Sequence, residues 1–296
     1  MKIGFVSILG RPNAGKSTLL NALLGQKLAI VTSKPQTTRT SIQGVVTTAD
    51  YQIVFADTPG IHRSNTLMNK RMMDTVRASA QADVALFLID VLEPFREEDA
   101  EAIDLVKKLE APAFALLNKV DKLQDKTKLL ALIEHLQGLH EFAEFIPISA
   151  MKGTGIDRLL NQIVKRLPEG EPMYADDYLT DQPERFLAAE ILREKILHHT
   201  QQEVPHAVAV MIDTWVDTPK VLKIAATIYV EKAGQKAIVI GAGGAGLKKI
   251  GTLARFEMEK AFERKIFLQT FVKVKPNWRQ DPEFLASIDW RRMIGE

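Results

Sequence analysis

Short, nearly continuous apolar runs recur between residues 1 and 168: Ile3–Leu9, Gln52–Ala56, Val84–Asp90, Ala113–Asn118 and Phe145–Ile148. Apolar runs of this length are the mark of strands covered on both sheet faces. Between them, apolar positions recur at helical spacing over Lys16–Leu24, Met68–Ala80, Glu97–Leu109, Thr127–Leu136 and Ile156–Leu167. This alternation predicts βαβ units and a mainly parallel sheet. Ser41–Thr48 and Tyr51–Ala56, separated by a short turn, predict a hairpin that adds one antiparallel edge strand.

Pro168-Glu169-Gly170-Glu171-Pro172 breaks this rhythm and starts a polar connection. The expected division is a first domain over 1–168, a linker over 169–182 and a second domain with its C-terminal tail over 183–296. The second pattern runs as a helix over Glu184–His199, strands over Ala207–Val216 and Leu222–Val230, and an apolar helical segment over Lys236–Ile240. A glycine turn, a helix over Leu247–Phe262 and a strand over Ile266–Val274 follow. That order predicts a small α+β domain.

Composition narrows the classes. Of 296 residues, 46% are hydrophobic and 26% charged, values of a folded chain rather than a disordered one. No run approaches the ~18 apolar residues of a membrane span. The N-terminal apolar run stops at Gly10-Arg11-Pro12, too early for a secretory signal. The absence of Cys excludes a disulfide framework, a thiolate metal site and a cysteine nucleophile. A cytoplasmic protein is expected. The net charge of +2 hides an uneven distribution: residues 173–219 carry 3 basic and 9 acidic side chains, residues 220–279 carry 13 and 4. The second block, +9, is either a solvated Lys-rich surface or a polyanion-binding face.

Gly10-Arg11-Pro12-Asn13-Ala14-Gly15-Lys16-Ser17 matches G-x-x-x-x-G-K-[ST] between a predicted strand and a predicted helix that continues through Thr18. In that context backbone N–H groups and the helix N-terminus face phosphate oxygens. Lys16 would reach the β- and γ-phosphates, and Ser17 would hold Mg²⁺. Asp57-Thr58-Pro59-Gly60 ends another strand. There Asp57 can hold Mg²⁺ through water and the Gly60 N–H can meet the γ-phosphate. Asn118-Lys119-Val120-Asp121 ends a third, where the Asp121 carboxylate can accept from guanine N1–H and N2–H₂ together. Adenine offers no such donor pair. Ser149-Ala150 ends a fifth strand, where backbone N–H groups can meet guanine O6, and Lys119 and Lys152 have stems long enough to flank the ring. Each motif is weak alone, yet ligands of α/β sheets bind at strand ends, and four motifs fall there. Together they predict a GTP/GDP site. A further Mg²⁺ ligand is needed between the first helix and Asp57. Thr38 is the first choice and Thr37 the second.

With these motifs the sequence resembles the Era GTPases, from the Gly10–Ser17 loop through the Thr37-Thr38-Arg39 switch to Asp57–Gly60 and the Phe186–Lys195 helix of the second domain. The resemblance covers essentially the whole chain. It implies a P-loop GTPase fold followed by a smaller α+β type II KH domain. It also implies binding of the 3′ region of small-subunit (16S) ribosomal RNA and a role in 30S subunit assembly. Where Ras-type enzymes place a water-orienting Gln, this chain has Ile61, which cannot orient water. The resemblance implies slow hydrolysis, with Asn13 helping to hold a stimulating K⁺. No general base is assigned. Catalysis is expected from Lys16, Thr38 and Gly60.

Gly241-Ala242-Gly243-Gly244-Ala245-Gly246 admits a dinucleotide fingerprint, G-x-G-x-x-G, but only 50 residues follow and the acidic residue falls at Glu263, before a strand rather than at its end. The alternative is the G-x-x-G loop of a KH domain, Gly241–Gly244, clamping single-stranded phosphates with Lys248 and Lys249 nearby. Era proteins often carry Lys where this chain has Ala242, which removes one phosphate contact. Two other functions fit the motifs: an RNA scaffold that binds GTP with negligible turnover, and a related GTPase acting on tRNA modification or the large subunit. Membrane association is reported for the family. The chain carries no visible anchor, which leaves weak peripheral attachment through the basic face. The oligomeric state is not readable from the sequence.

Overall fold

The computed structural model describes residues 1–32, 34, 37–60, 67–68, 82–200 and 204–289. They divide into two compact units, one made of Met1–Val31, Thr38–Ser64 and Asn69–Asp181, the other of Thr32–Thr37, Asn65–Met68 and Gln182–Glu296.

The first unit is built on a six-stranded sheet. Its strands are β1 (Lys2–Leu9), β2 (Ile42–Thr47), β3 (Tyr51–Asp57), β4 (Val84–Asp90), β5 (Ala113–Asn118) and β6 (Glu144–Ile148), in the order β2-β3-β1-β4-β5-β6. All neighbours are parallel except β2 and β3, which form the expected antiparallel hairpin at the edge. Every residue of β4 and β5 is buried, which explains their unbroken apolar sequence. Helices α1 (Lys16–Leu24), α2 (Glu97–Val106), α3 (Thr127–Leu139) and α4 (Ile156–Val164) accompany the sheet. Phe87, Ile89, Ala102, Ile103, Val106 and Leu136 join α2, α3 and the sheet in one buried cluster. Each large apolar side chain there contributes about 1.5–3 kcal/mol by leaving water. The expected helix over Met68–Ala80 lies, beyond residue 68, outside the described residues.

Residues 169–181, polar enough to be expected as a linker, run instead along the β2–β3 edge of the first unit. Gly170 N–H donates to Met1 O (3.0 Å) and Val45 N–H to Leu179 O (2.8 Å). The buried Gln52 side chain holds this strap at its middle. Its Oε1 accepts from Met173 N–H (2.7 Å) and Tyr174 N–H (3.0 Å), and its Nε2 donates to Tyr174 O (2.9 Å).

The second unit has a three-stranded sheet, β7 (Ala209–Asp217), β8 (Leu222–Val230) and β9 (Ile266–Val274). The pair β7/β8 is antiparallel and β8/β9 parallel. Helices α5 (Glu184–His199), α6 (Ala233–Ile240) and α7 (Ala245–Ala261) supply Leu192, Ile196, Val239, Ala254 and Met258 to a core shared with Ala226, Ile228 and Val230. Helix α6 begins at Ala233, three residues before the apolar segment that revealed it, because Gln235 Oε1 accepts from the Lys232 N–H and fixes its first turn. A last short helix, α8 (Pro282–Ser287), follows the buried Trp278, whose indole N–H donates to Ala207 O at 3.0 Å.

Candidate functional site

The carboxyl ends of β1, β3, β4, β5 and β6 bring the predicted motifs of the first unit together. The Gly10–Ser17 loop follows β1 and feeds α1. Gly15, with φ of 106°, allows the turn. A Cβ there would sit 2.3 Å from Asn118 Nδ2. That amide donates to Ala14 O (2.8 Å) while its Oδ1 accepts from Ala150 N–H (3.0 Å). Asn118 is therefore a buried clamp joining the loop to the end of β6.

Lys16 is buried, and its ammonium donates to Gly10 O and Arg11 O, both at 2.9 Å. Burial lowers it from 10.5 to about 8, against the opposing pull of the Asp57 charge. Asp57 is fully buried at the end of β3. Burial raises its carboxyl to about 6, opposed by the Lys16 charge and by hydrogen bonds from Ser17 and Thr38. Ser17 Oγ stands 2.7 Å from Asp57 Oδ2 and 2.7 Å from Thr38 Oγ1, and Thr38 Oγ1 is 3.4 Å from the same carboxylate oxygen. Three oxygen-bearing side chains from separate segments thus meet at one point. The other carboxylate oxygen, Asp57 Oδ1, is buried without a hydrogen-bond partner. Hard oxygen donors around an unsatisfied buried carboxylate suit Mg²⁺. Thr37 is directed elsewhere, its hydroxyl bonded to Thr32 Oγ1 (2.8 Å) and Lys34 O (2.7 Å). Of the two threonines, only Thr38 turns its hydroxyl toward Ser17 and Asp57.

Thr58 is also fully buried, its hydroxyl donating to Ile8 O (2.7 Å), which pins the Asp57–Gly60 turn to β1. Gly60 passes so close to the loop that a Cβ would lie 2.9 Å from Pro12 Cα, so no larger residue fits. Ile61 lies outside the described residues.

Lys119, at the opposite side of the loop, spans two partners: Nζ donates to Asn13 O (2.9 Å) and to Asp90 Oδ2 (2.6 Å). Asn13 and Lys119 both adopt left-handed backbone, φ 62° and 72°, a conformation that Asn tolerates readily and Lys rarely adopts. Asp121 is exposed and its Oδ1 accepts from Ser149 Oγ at 2.6 Å. Lys152 follows on the same turn, its N–H donating to Ser149 O (3.2 Å). The Ser149 N–H donates to Thr154 O (3.0 Å) and the Ala150 N–H to Asn118 Oδ1 (3.0 Å), which fixes the turn that follows β6.

Sequence reasoning missed Asp90 and Asp99. Asp90, at the end of β4, fixes Lys119. Asp99 is fully buried in the first turn of α2, accepts from Arg96 N–H (3.0 Å) and faces the buried Arg11 guanidinium, Nε to Oδ1 3.4 Å. Arg11, expected at the nucleotide, is thereby tied to α2. Burial raises the Asp99 carboxyl, opposed by the Arg96 N–H and the Arg11 charge. Asp90 was discoverable as an acid ending an otherwise apolar strand. Asp99 was legible only as a helix-start residue.

In the second unit, α6 ends at Gly241 and α7 starts after Gly244, so Gly241-Ala242-Gly243-Gly244 joins two helices as a G-x-x-G loop does. Gly243 (φ 57°) and Gly244 (φ 82°) are left-handed, and a Cβ on either would meet nothing within 4 Å. The loop is therefore open on its outer side. Gly246 has a different role: a Cβ there would lie 3.0 Å from Val239 O, so it lets the two helices close on each other. Lys248 and Lys249 are exposed on the first turn of α7.

Comparison with known proteins agrees with both units. Residues 5–119 match the family described as 50S ribosome-binding GTPase, and residues 203–279 match the KH domain family. The chain is 47% identical over 292 residues to GTPase Era of Syntrophus aciditrophicus, covering 98% of this chain and 95% of that protein. It is 44% identical to GTPase Era of Ruminiclostridium cellulolyticum, with 98% of each covered. Two solved structures superpose over 98% of this chain and 99% of their own, each at 41% identity. One is a variant of Aquifex aeolicus Era bound to GDP·AlF₄⁻ (TM-score 0.94), the other Era in complex with MgGDPNP and nucleotides 1506–1542 of 16S ribosomal RNA (TM-score 0.95). The matched identity, near-complete mutual coverage and shared architecture place the chain in one family: it belongs to the GTPase Era family.

Proposed function

We propose that the chain is a Mg²⁺-dependent GTP-hydrolysing switch whose KH domain binds the 3′ region of 16S ribosomal RNA and which acts in 30S subunit assembly. The observation that carries the enzymatic half is the meeting of Ser17, Thr38 and the half-satisfied Asp57 carboxylate beside Lys16. Mg²⁺, held by Ser17, Thr38 and Asp57, would supply positive charge to a bound triphosphate. Lys16 would exchange its loop carbonyls for phosphate oxygens. Gly10–Thr18 cradles the phosphates, with Gly60 close to the same loop. Asn118 holds that loop, and Asp121, Lys119 and Lys152 select and flank guanine. Val120 carries the turn between them, and Ser149-Ala150 closes the base side.

Hydrolysis is slow and K⁺-stimulated in this reading, with Asn13 at the ion and Ile61 in place of a water-orienting side chain. The nucleotide-binding domain includes the strap through Asp181, and the RNA-binding domain takes up the chain from Gln182. The RNA-binding half rests on the open, left-handed loop Gly241–Gly244 at the head of α7 and on the RNA bound by the homologous Era structure. The protein works in the cytoplasm, with at most weak peripheral contact to an anionic membrane through its basic face. No single helix among the described residues is long and apolar enough to cross a membrane.

The test pairs two measurements on the full chain. One is GTP turnover with and without K⁺, and the other is binding to an RNA of nucleotides 1506–1542. Equal turnover in Na⁺ and K⁺ removes the potassium site. Unchanged RNA affinity in Gly244→Asp removes the loop as the RNA clamp.

A further inference from the structure

Helix α7 does not stop being basic at the glycine loop. At 100° per residue, Lys248, Lys249, Leu253, Phe256 and Lys260 fall on one arc of the helix. All five are exposed, whereas Ile250, Ala254 and Met258 on the other side are buried. Phe256 is 55% exposed, and the Arg255 guanidinium lies over its ring at 4.8 Å. A large exposed aromatic on a helix of a folded domain calls for an explanation in a way that one exposed Leu does not.

The charges on this helix are sorted as well. Its two acids are engaged by neighbouring elements: Glu257 pairs with Lys195, and Glu259 accepts from Ile266 N–H (3.2 Å) with Lys265 Nζ at 3.8 Å. Lys248, Lys249, Arg255 and Lys260 have no carboxylate within ion-pair distance among the described residues. The outer side of α7 therefore presents three exposed lysines and an aromatic face beside the half-buried Arg255 guanidinium, beginning where the loop ends.

We infer that the exposed arc of α7 is a second RNA subsite, a track that takes the single strand leaving the glycine loop. It holds phosphates at Lys249 and Lys260 and stacks a base on Phe256 beside Arg255. The inference rests on the RNA-binding reading above and extends it to residues outside the loop. From Lys249 to Lys260 the helix rises about 16 Å. That length takes a few nucleotides of an extended strand beyond the four a G-x-x-G loop clamps. A strand of alternating phosphate and base suits this surface, because the cations are spaced along the helix and the aromatic lies between them.

The experiment uses the full chain and the RNA of nucleotides 1506–1542, with affinity measured across a series of salt concentrations. Lys260→Gln lowers affinity and flattens the slope of log affinity against log salt by about 0.7, the share of one lost single-strand phosphate contact. Phe256→Ala lowers affinity about tenfold at unchanged slope, since stacking releases no counterions. Both residues are exposed, so the fold is retained, and an unchanged circular dichroism melt verifies it. Gly244→Asp separates the two layers. If it alone abolishes binding and the α7 variants match wild type in affinity and slope, the loop reading survives and the track is wrong. If the α7 variants weaken binding while Gly244→Asp does not, the track survives and the loop reading fails. If the α7 variants instead lose only adsorption to phosphatidylserine vesicles, the arc is a membrane contact and the RNA track is overturned.

Discussion

Ser17 Oγ and Asp57 Oδ2 lie 2.7 Å apart although 40 residues separate them in the chain. One ends the phosphate loop and the other ends β3, and the parallel pairing of β1 with β3 is what brings them together. Without a cation the hydroxyl satisfies only one of the two carboxylate oxygens. Ser17→Ala removes that hydroxyl while leaving the sheet intact. Nucleotide affinity in Mg²⁺ is expected to fall about 10- to 100-fold, the worth of one hydrogen-bonding group at a charged site. Affinity in EDTA should barely change. Titration with a fluorescent GDP analogue in both buffers checks it.

The two switch threonines make separable predictions. Thr38 touches Ser17 and approaches Asp57, while Thr37 bonds to Thr32 and Lys34. Thr38→Ala should reduce single-turnover GTP hydrolysis by at least about tenfold, because a ligand to the triphosphate-bound cation is gone. Thr37→Ala loses only two local hydrogen bonds, each worth ~1 kcal/mol of stability, and should leave the rate within about threefold of wild type. The opposite ranking would assign the metal to Thr37.

In the proposed reading, base selection falls to Asp121. Ser149 Oγ holds Asp121 Oδ1 at 2.6 Å, which aims the carboxylate. Asp121→Asn replaces a double acceptor with a group that also donates. GTP should bind about 100-fold more weakly, while xanthosine triphosphate, which has a carbonyl where guanine has an amine, should gain. Ser149→Ala should cost GTP about threefold to tenfold with the preference for guanine kept. Competition assays with the two nucleotides decide.

The strap over 169–181 is a stability prediction. Gln52 is fully buried and serves three backbone groups of the strap together with Thr47 Oγ1 (3.0 Å). Gln52→Ala strands those groups and should lower unfolding free energy by about 2–4 kcal/mol, read as a reduced midpoint in urea. Gln43→Ala, losing chiefly a bond to the Tyr174 hydroxyl (2.9 Å), should cost about 1 kcal/mol.

These contrasts show what a sequence carries. Strands β4 and β5 were legible because burial on both faces leaves them no polar alternation, and β1, β3 and β6 because their sequences are short apolar runs. The nucleotide motifs were legible because phosphate, metal and base each demand particular groups at strand ends. The strap was not, since Glu169-Gly170-Glu171 has a linker's composition and its partner, Gln52, lies far off in the chain. The partners of Asp99 and Asp90 became visible only when the fold brought Arg11 and Lys119 to them. Helix α8 is a different case. Asp281-Pro282-Glu283 is a helix start, and Asp281 Oδ1 indeed accepts from Glu283 N–H (3.1 Å) and Phe284 N–H (3.0 Å), so the signal was present and went unused.

The central claim is that the Lys16–Ser17–Thr38–Asp57 cluster hydrolyses GTP. It is tested most directly by single-turnover conversion of GTP to GDP with stoichiometric full-length protein and Mg²⁺, wild type beside Thr38→Ala, with ATP as the control nucleotide. The account predicts slow but complete GTP conversion by the wild type, a rate at least about tenfold lower in the variant and no ATP conversion. Equal rates in wild type and variant, or ATP consumed as readily as GTP, would contradict it.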